Sequence, residues 1–179
     1  TYCVRMRGRA QRALPLVGLI VTVVLPRLLV LPVVDLGPDE IAYGLIGREL
    51  WAGHWPYTTA FDHKPVALYL PYALATGLIG ETTTALRVMS LVVAVLSYLV
   101  AYAVVRRMRL DPLIATAMAS LISLMTFGNQ GTAALSENLL NLYLLGMVLM
   151  LLLPRGLAAS AGVGALAART FHTNYLAGP

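Results

Sequence analysis

The sequence predicts an all-α fold, a polytopic membrane helix bundle with juxtamembrane helices in its first extracytoplasmic loop. Three observations carry that prediction. Of the residues, 59% are hydrophobic and 12% charged, and the mean hydropathy is +0.77, an apolar excess that a water-soluble domain of this size struggles to bury. Five apolar runs approach the length needed to cross a hydrocarbon core of roughly 30 Å. Basic residues gather at the edges of those runs: Arg5, Arg7, Arg9 and Arg12 before the first, Arg106, Arg107 and Arg109 after the second, Arg155 after the fourth. That is where the positive-inside rule places cytoplasmic ends, and it argues against a nucleic-acid partner despite the net charge of +5. The single cysteine, Cys3, permits neither an internal disulfide nor a thiolate metal cluster.

Taken in order, the expected spans are 14–34, 84–105, 112–129, 137–153 and 157–177, with the N-terminus inside and a long outer loop over 35–83. Pro26 predicts a kink in the first span, and Arg27 beside it either snorkels to the outer interface or serves a function. Pro38 suits the first position of a helix, and Asp39 and Glu40 then fall in its first turn, where acids complement the helix dipole. This short helix is expected over 38–51, with Trp51, Trp55 and Tyr57 forming an interfacial aromatic belt. Segment 65–80 is apolar but short and contains Pro71. If it crossed the bilayer, the next run would carry Arg106, Arg107 and Arg109 to the wrong side, so it is expected to lie flat. Residues 1–179 are read as one transmembrane domain, the N-terminal part of a longer polypeptide, because an apolar run continues to Pro179. No cleavable signal peptide is expected.

The chemistry concentrates in 35–65, which holds five of the eight acidic residues, two of the three histidines and the only lysine, Lys64. Asp39 and Glu40 are adjacent, so on a helix they diverge by about 100° and only one can face a given substrate atom. That one could act as a general base; equally, the pair could only complement the helix dipole. Asp62, His63 and Lys64 precede Pro65, which favours extended or turn geometry. Lys64 could then hold a phosphate, and Asp62 or His63 a divalent cation, or the three could form a solvated turn. Glu137, at the head of the fourth span, either joins the outer acids or caps its own helix. Arg169 and His172, three apart on the fifth span, either meet a lipid-linked phosphate or snorkel.

Together, Pro38-Asp39-Glu40, Tyr43, Arg48, Gly53, Pro56-Tyr57, Asp62-His63-Lys64-Pro65 and Tyr69 resemble the first extracytoplasmic loop of GT-C glycosyltransferases. The resemblance is to the bacterial branch related to protein O-mannosyltransferases and lipid A aminoarabinose transferases. It continues through Arg87 and Ser136-Glu137 and so covers most of the chain. Such enzymes transfer a sugar from a polyprenyl-phosphate donor to an acceptor on the extracytoplasmic face, with inversion at the sugar carbon. The resemblance implies Asp39 as general base with Glu40 supporting, Lys64 on the donor phosphate and His63 as a metal or donor contact. It adds Tyr43 to the substrate-binding set, beside Arg169 and Glu137. Some relatives need a divalent metal ion and others do not; Asp62 and His63 would hold one here. The implied location is the bacterial inner membrane, with membrane lipid, the lipid-linked sugar and an acceptor as partners. Two departures stand out. Val66 replaces a second proline that relatives often carry, and their later spans and C-terminal domain lie outside these 179 residues, so this piece is expected to be inactive alone. Two other classes compete: a multi-pass transporter subunit using Arg27 and Arg169, and an inactive membrane scaffold.

Overall fold

A computed structural model describes residues 13–30, 32, 36–56, 58, 64–80, 83–128, 136–153 and 156–173. These form seven helices and, among the described residues, no strand. Helix α1 covers Ala13–Val30, α2 Pro38–Trp51, α3 Tyr69–Ile79, α4 Thr83–Arg107, α5 Pro112–Gly128, α6 Ser136–Leu151 and α7 Leu157–Thr173. A 3₁₀ turn, Val66–Leu68, leads into α3.

Local chemistry explains most boundaries. Pro26 has no N–H and its ring crowds the carbonyl four residues back. The disturbance expected there takes the form of a π-helical segment, Ile20–Val24, in which the Leu25 N–H bonds to the Ile20 carbonyl. At the head of α2, Gly37 is extended (φ −66°, ψ 156°) and Pro38 occupies the first helical position. Glu40 folds back so that its Oε2 accepts the Gly37 N–H at 3.1 Å, which satisfies a donor the helix cannot. Helix α4 ends through Arg109, whose φ of 63° is left-handed. Asp111 Oδ1 then accepts the Leu113 N–H at 2.8 Å and Pro112 starts α5, a short helical hairpin.

Helix α4 is the centre of the packing: α1 and α3, α5 and α6 all lie against it. One cluster joins Tyr43, Ile46, Leu68, Tyr69, Tyr72, Leu86, Met89 and Leu139 across α2, α3, α4 and α6. A second joins Val23, Tyr98, Ala101 and Ala119 across α1, α4 and α5, where the Tyr98 hydroxyl donates to the Pro15 carbonyl at 2.9 Å. Helices α2 and α3 form the tightest pair. A Cβ on Gly47 would stand 2.7 Å from Tyr72 Cβ and 2.8 Å from the Ala73 nitrogen, so only hydrogen fits between the two backbones.

Helices α1 and α4 are long and apolar enough to cross a membrane. The 25 residues of α4 span about 37 Å at 1.5 Å per residue. Helices α5, α6 and α7, read from the sequence as spans, have 17, 16 and 17 residues. The expected helix over 38–51 is α2, with the same limits. Segment 65–80 becomes the 3₁₀ turn and α3, packed on both α2 and α4. The last residues of the first and fifth expected spans, 33–34 and 174–177, lie outside the described residues.

The α2–α3 seam makes a direct expectation. Gly47→Ala must push the two backbones apart, an overpacking cost of about 1–3 kcal/mol. Nothing lies within 4 Å of a Cβ on Gly164 in α7, so Gly164→Ala should instead stabilise slightly, by roughly 0.5–1 kcal/mol. Thermal unfolding of the two variants in detergent, compared with the parent, measures both.

Candidate functional site

The two acids at the start of α2 separate as the helical period requires. Asp39 is exposed, whereas Glu40 is 2% exposed. The Glu40 carboxylate is held from two directions. Its Oε2 accepts the Gly37 N–H, and its Oε1 accepts Arg87 Nη1 of α4 at 3.0 Å, with the arginine side chain 8% exposed. A charged hydrogen bond of this length inside a packed core fixes the rotation of α2 about its axis. Asp39, one residue away in the opening turn of the helix, is exposed.

One turn above Asp39, Tyr43 enters the core. Its ring meets Tyr72 edge-on, with centroids 5.4 Å apart and planes at 66°, and tilts against Tyr69 at 6.2 Å. These separations suit the aromatic quadrupole. The Tyr69 hydroxyl in turn donates to the Lys64 carbonyl at 3.4 Å. Lys64 is half-buried, immediately before Pro65, which caps the 3₁₀ turn. Through Tyr43 and Tyr69, the helix that presents Asp39 is thus connected to the segment that presents Lys64.

The later helices reach the same cluster. The 3₁₀ turn after Lys64 contacts α7. Arg169 of α7 is exposed, and its charge reaches Tyr143 of α6, which packs on the tyrosine cluster. Glu137, at the head of α6, is exposed and its Oε2 accepts the Ser136 hydroxyl at 3.1 Å; it and Glu40 both act on Tyr72. The fold therefore brings Glu40, Tyr43, Glu137 and Arg169 around one group of tyrosines, to which Lys64 is joined through its backbone carbonyl. Asp62 and His63, and the side chain of His172, lie outside the described residues. Sequence reasoning missed the pairing of Arg87 with Glu40 and the part played by Tyr72. A signal was present, since an arginine within an apolar helix requires a partner.

A divalent cation needs several oxygen or imidazole ligands converging. Among the described residues, no three His, Cys, Asp or Glu side chains come together, and Glu40 already bonds Arg87. These residues do not by themselves make a metal centre.

Burial holds the Tyr72 phenol well above the ordinary tyrosine range, and Tyr43, Glu40, Glu137 and Tyr143 push it the same way. An unfolded tyrosine loses its proton near pH 10. Above that pH the unfolded chain binds fewer protons than the folded one, so stability intact below about pH 10 declines as pH rises further. Tyr72→Phe should flatten that alkaline decline in unfolding measured against pH. For the ion pair, Glu40→Ala removes the carboxylate that bonds the buried Arg87 guanidinium and should cost about 3–5 kcal/mol, while Glu40→Leu with Arg87→Met should come close to the parent. Denaturant unfolding of the three proteins tests this asymmetry. In comparison with known proteins, no family model, no curated protein and no solved structure matches the chain.

Proposed function

We propose that the chain is the transmembrane part of a glycosyltransferase that moves a sugar from a polyprenyl-phosphate donor to an acceptor at the extracytoplasmic face of a bacterial inner membrane. The membrane assignment is supported by α1 and α4 and by the outward apolar surface, where Leu29 is 78% exposed, Leu78 74% and Met125 65%. Large apolar side chains exposed in such number suit lipid as the surrounding medium. On this reading α5, α6 and α7 also enter the bilayer. The N-terminus and the Arg106, Arg107 and Arg109 turn are cytoplasmic, and α2 and α3 lie at the outer interface.

The observation that carries the catalytic part is the division of labour in the acid pair. Glu40 is committed to Arg87, which leaves its exposed neighbour Asp39 as the carboxylate of the pair that can meet a substrate. Asp39 takes the proton from the acceptor's nucleophilic atom as that atom attacks the anomeric carbon. The bond from that carbon to the phosphate oxygen breaks, and its electron pair departs with the lipid phosphate. Lys64, with Arg169 across the cluster, stabilises the charge that grows on the leaving phosphate, where preorganised cations have most effect. Glu40 is a positioning residue in this scheme.

Replacing Asp39 by Asn in the full-length polypeptide should lower consumption of polyprenyl-phosphate sugar by at least about 10²-fold, while the protein stays in the membrane after alkaline extraction. Turnover at the parental rate would remove Asp39 from the chemistry. Lys64→Ala should raise the donor KM more than it lowers turnover, and an unchanged donor dependence would remove the phosphate assignment.

A further inference from the structure

The turn that joins α4 to α5 holds a backbone shape that its sequence does not favour. Arg109, where α4 stops, is the only described non-glycine residue in the left-handed region, with φ 63°. That position at a helix end commonly falls to glycine, because a Cβ there is strained. The turn closes through its own bonds. The Arg109 N–H donates to the Arg106 carbonyl at 3.0 Å, Arg106 Nη1 donates to the Leu110 carbonyl, and Asp111, the single acid of the turn, accepts the Leu113 N–H. Arg107 and Arg109, on either side of Met108, are exposed, and among the described residues no ion pair or side-chain hydrogen bond holds either of them. An arginine kept at a glycine position, with its guanidinium unused by the turn, points to a partner outside the chain.

An apolar track begins at the same turn. Helix α5 leans on α4 and, among the described residues, scarcely touches α6. Its outer face, Ile114, Met118, Leu121 and Met125, recurs at spacings of four, three and four residues, which keeps it on one side of the helix. These side chains are 46%, 44%, 57% and 65% exposed, and Met108 in the turn is 58% exposed. From Ile114 to Met125 the track runs about 16 Å at 1.5 Å per residue, close to half of a hydrocarbon core of roughly 30 Å. Positive charge at one end of an apolar strip one leaflet long is complementary to an anionic phospholipid. A soluble anion would leave the strip uncovered.

We propose that Arg107 and Arg109 hold the phosphate of an anionic bilayer phospholipid at the cytoplasmic surface, with an acyl chain laid along α5. The proposal rests on the membrane reading given above and not on the sugar-transfer chemistry. On that reading the 25 residues of α4, about 37 Å long, outreach the roughly 30 Å core, so the last turn stands at headgroup level. The cytoplasmic leaflet is the one that carries anionic lipid. A guanidinium bonds two phosphate oxygens at once, which an ammonium does not. The site is also remote from the loop that would bind the sugar donor. Arg87, which bonds Glu40 of α2, precedes Arg107 on α4 by about 30 Å at 1.5 Å per residue.

The test is native mass spectrometry of the full chain in detergent, offered dioleoylphosphatidylglycerol and dioleoylphosphatidylcholine in equal amounts. The anionic lipid should be retained in preference by roughly tenfold, the scale of one charged hydrogen bond. Arg107→Gln with Arg109→Gly should bring the ratio close to one. Arg109→Gly alone should lower it about fivefold, the share of one arginine at a membrane surface, and at the same time raise Tm by about 2–4 °C, because glycine relieves the left-handed strain. Arg155→Gln removes an equal charge from outside the site and should leave the ratio where it was. Equal retention by the parent, a ratio unmoved by the double variant, an equal loss with Arg155→Gln, or a Tm lowered by Arg109→Gly overturns the proposal. Displacement of the lipid by an equal concentration of glycerophosphoglycerol, the headgroup without its chains, also overturns it and reassigns the arginines to a soluble phosphate ester. If the double variant fails to accumulate, Arg109→Gly decides. Alkaline extraction of the parent separates the two levels. A chain that washes off the membrane sinks the membrane reading itself, whereas one that stays without lipid preference sinks only the lipid site.

Discussion

The contact between Glu40 and Arg87 is the constraint from which the rest of the arrangement follows. A carboxylate and a guanidinium, 2% and 8% exposed, have each given up water, and that loss roughly cancels their mutual attraction. The pair therefore contributes registry more than net stability. It ties the first turn of α2 to the second turn of α4, and it leaves α2 one permitted rotation. With 3.6 residues per turn, a helix fixed at one position is fixed at all. Tyr43 then faces the core and Gly47 meets α3, while Asp39 is exposed because it lies in the opening turn, before the helix enters the packing.

The same rotation explains the aromatic cluster and the small residues that flank it. Tyr43 reaches Tyr69 and Tyr72 only because α2 and α3 approach closely, and they do so where Gly47 offers no side chain. A comparable close approach occurs at the far end of the molecule. There a Cβ on Gly18 of α1 would meet the Tyr98 hydroxyl at 2.5 Å and Thr116 Cγ2 at 2.7 Å. In both places a glycine opposite a large tyrosine lets a helix lie close to its neighbour, so the bulk of one residue occupies space the other leaves. Helices that associate without a strong hydrophobic drive between them rely on this kind of packing.

Much of this was legible from sequence because it depends on local chemistry. Pro38 at the first helical position and the Gly53-His54-Trp55-Pro56 turn bracket α2 on both sides, and its limits agree with the expectation. The α4–α5 hairpin was readable from Arg106, Arg107 and Arg109 followed by Asp111-Pro112. The π-helical segment before Pro26 was less so, since proline predicts a disturbance but not which hydrogen bonds absorb it. What lay out of reach was pairing between distant segments. Glu40 and Arg87 are 47 positions apart, and Glu40 read equally well as a helix-dipole acid, a catalytic helper or an ion-pair partner. Nothing short of the packing of α2 on α4 selects among them, and that packing assigns it to position its neighbour. The gap between α5 and α6 was illegible for a related reason: both helices are predictable singly, but their separation depends on how each leans on α4.

The arginines along the chain show one cost resolved in three ways. Arg106, Arg107 and Arg109 are exposed at a helix end, where water or headgroups solvate them and no partner inside the fold is required. Arg87 is buried and answered by a carboxylate from another helix. Arg27 is buried as deeply; its Nη1 donates to the Val23 carbonyl at 3.5 Å and its guanidinium carbon lies 5.6 Å over the Phe127 ring. The two buried arginines therefore differ in reach: Arg87 bonds a carboxylate 47 positions away on another helix, whereas Arg27 bonds a carbonyl one turn back in its own.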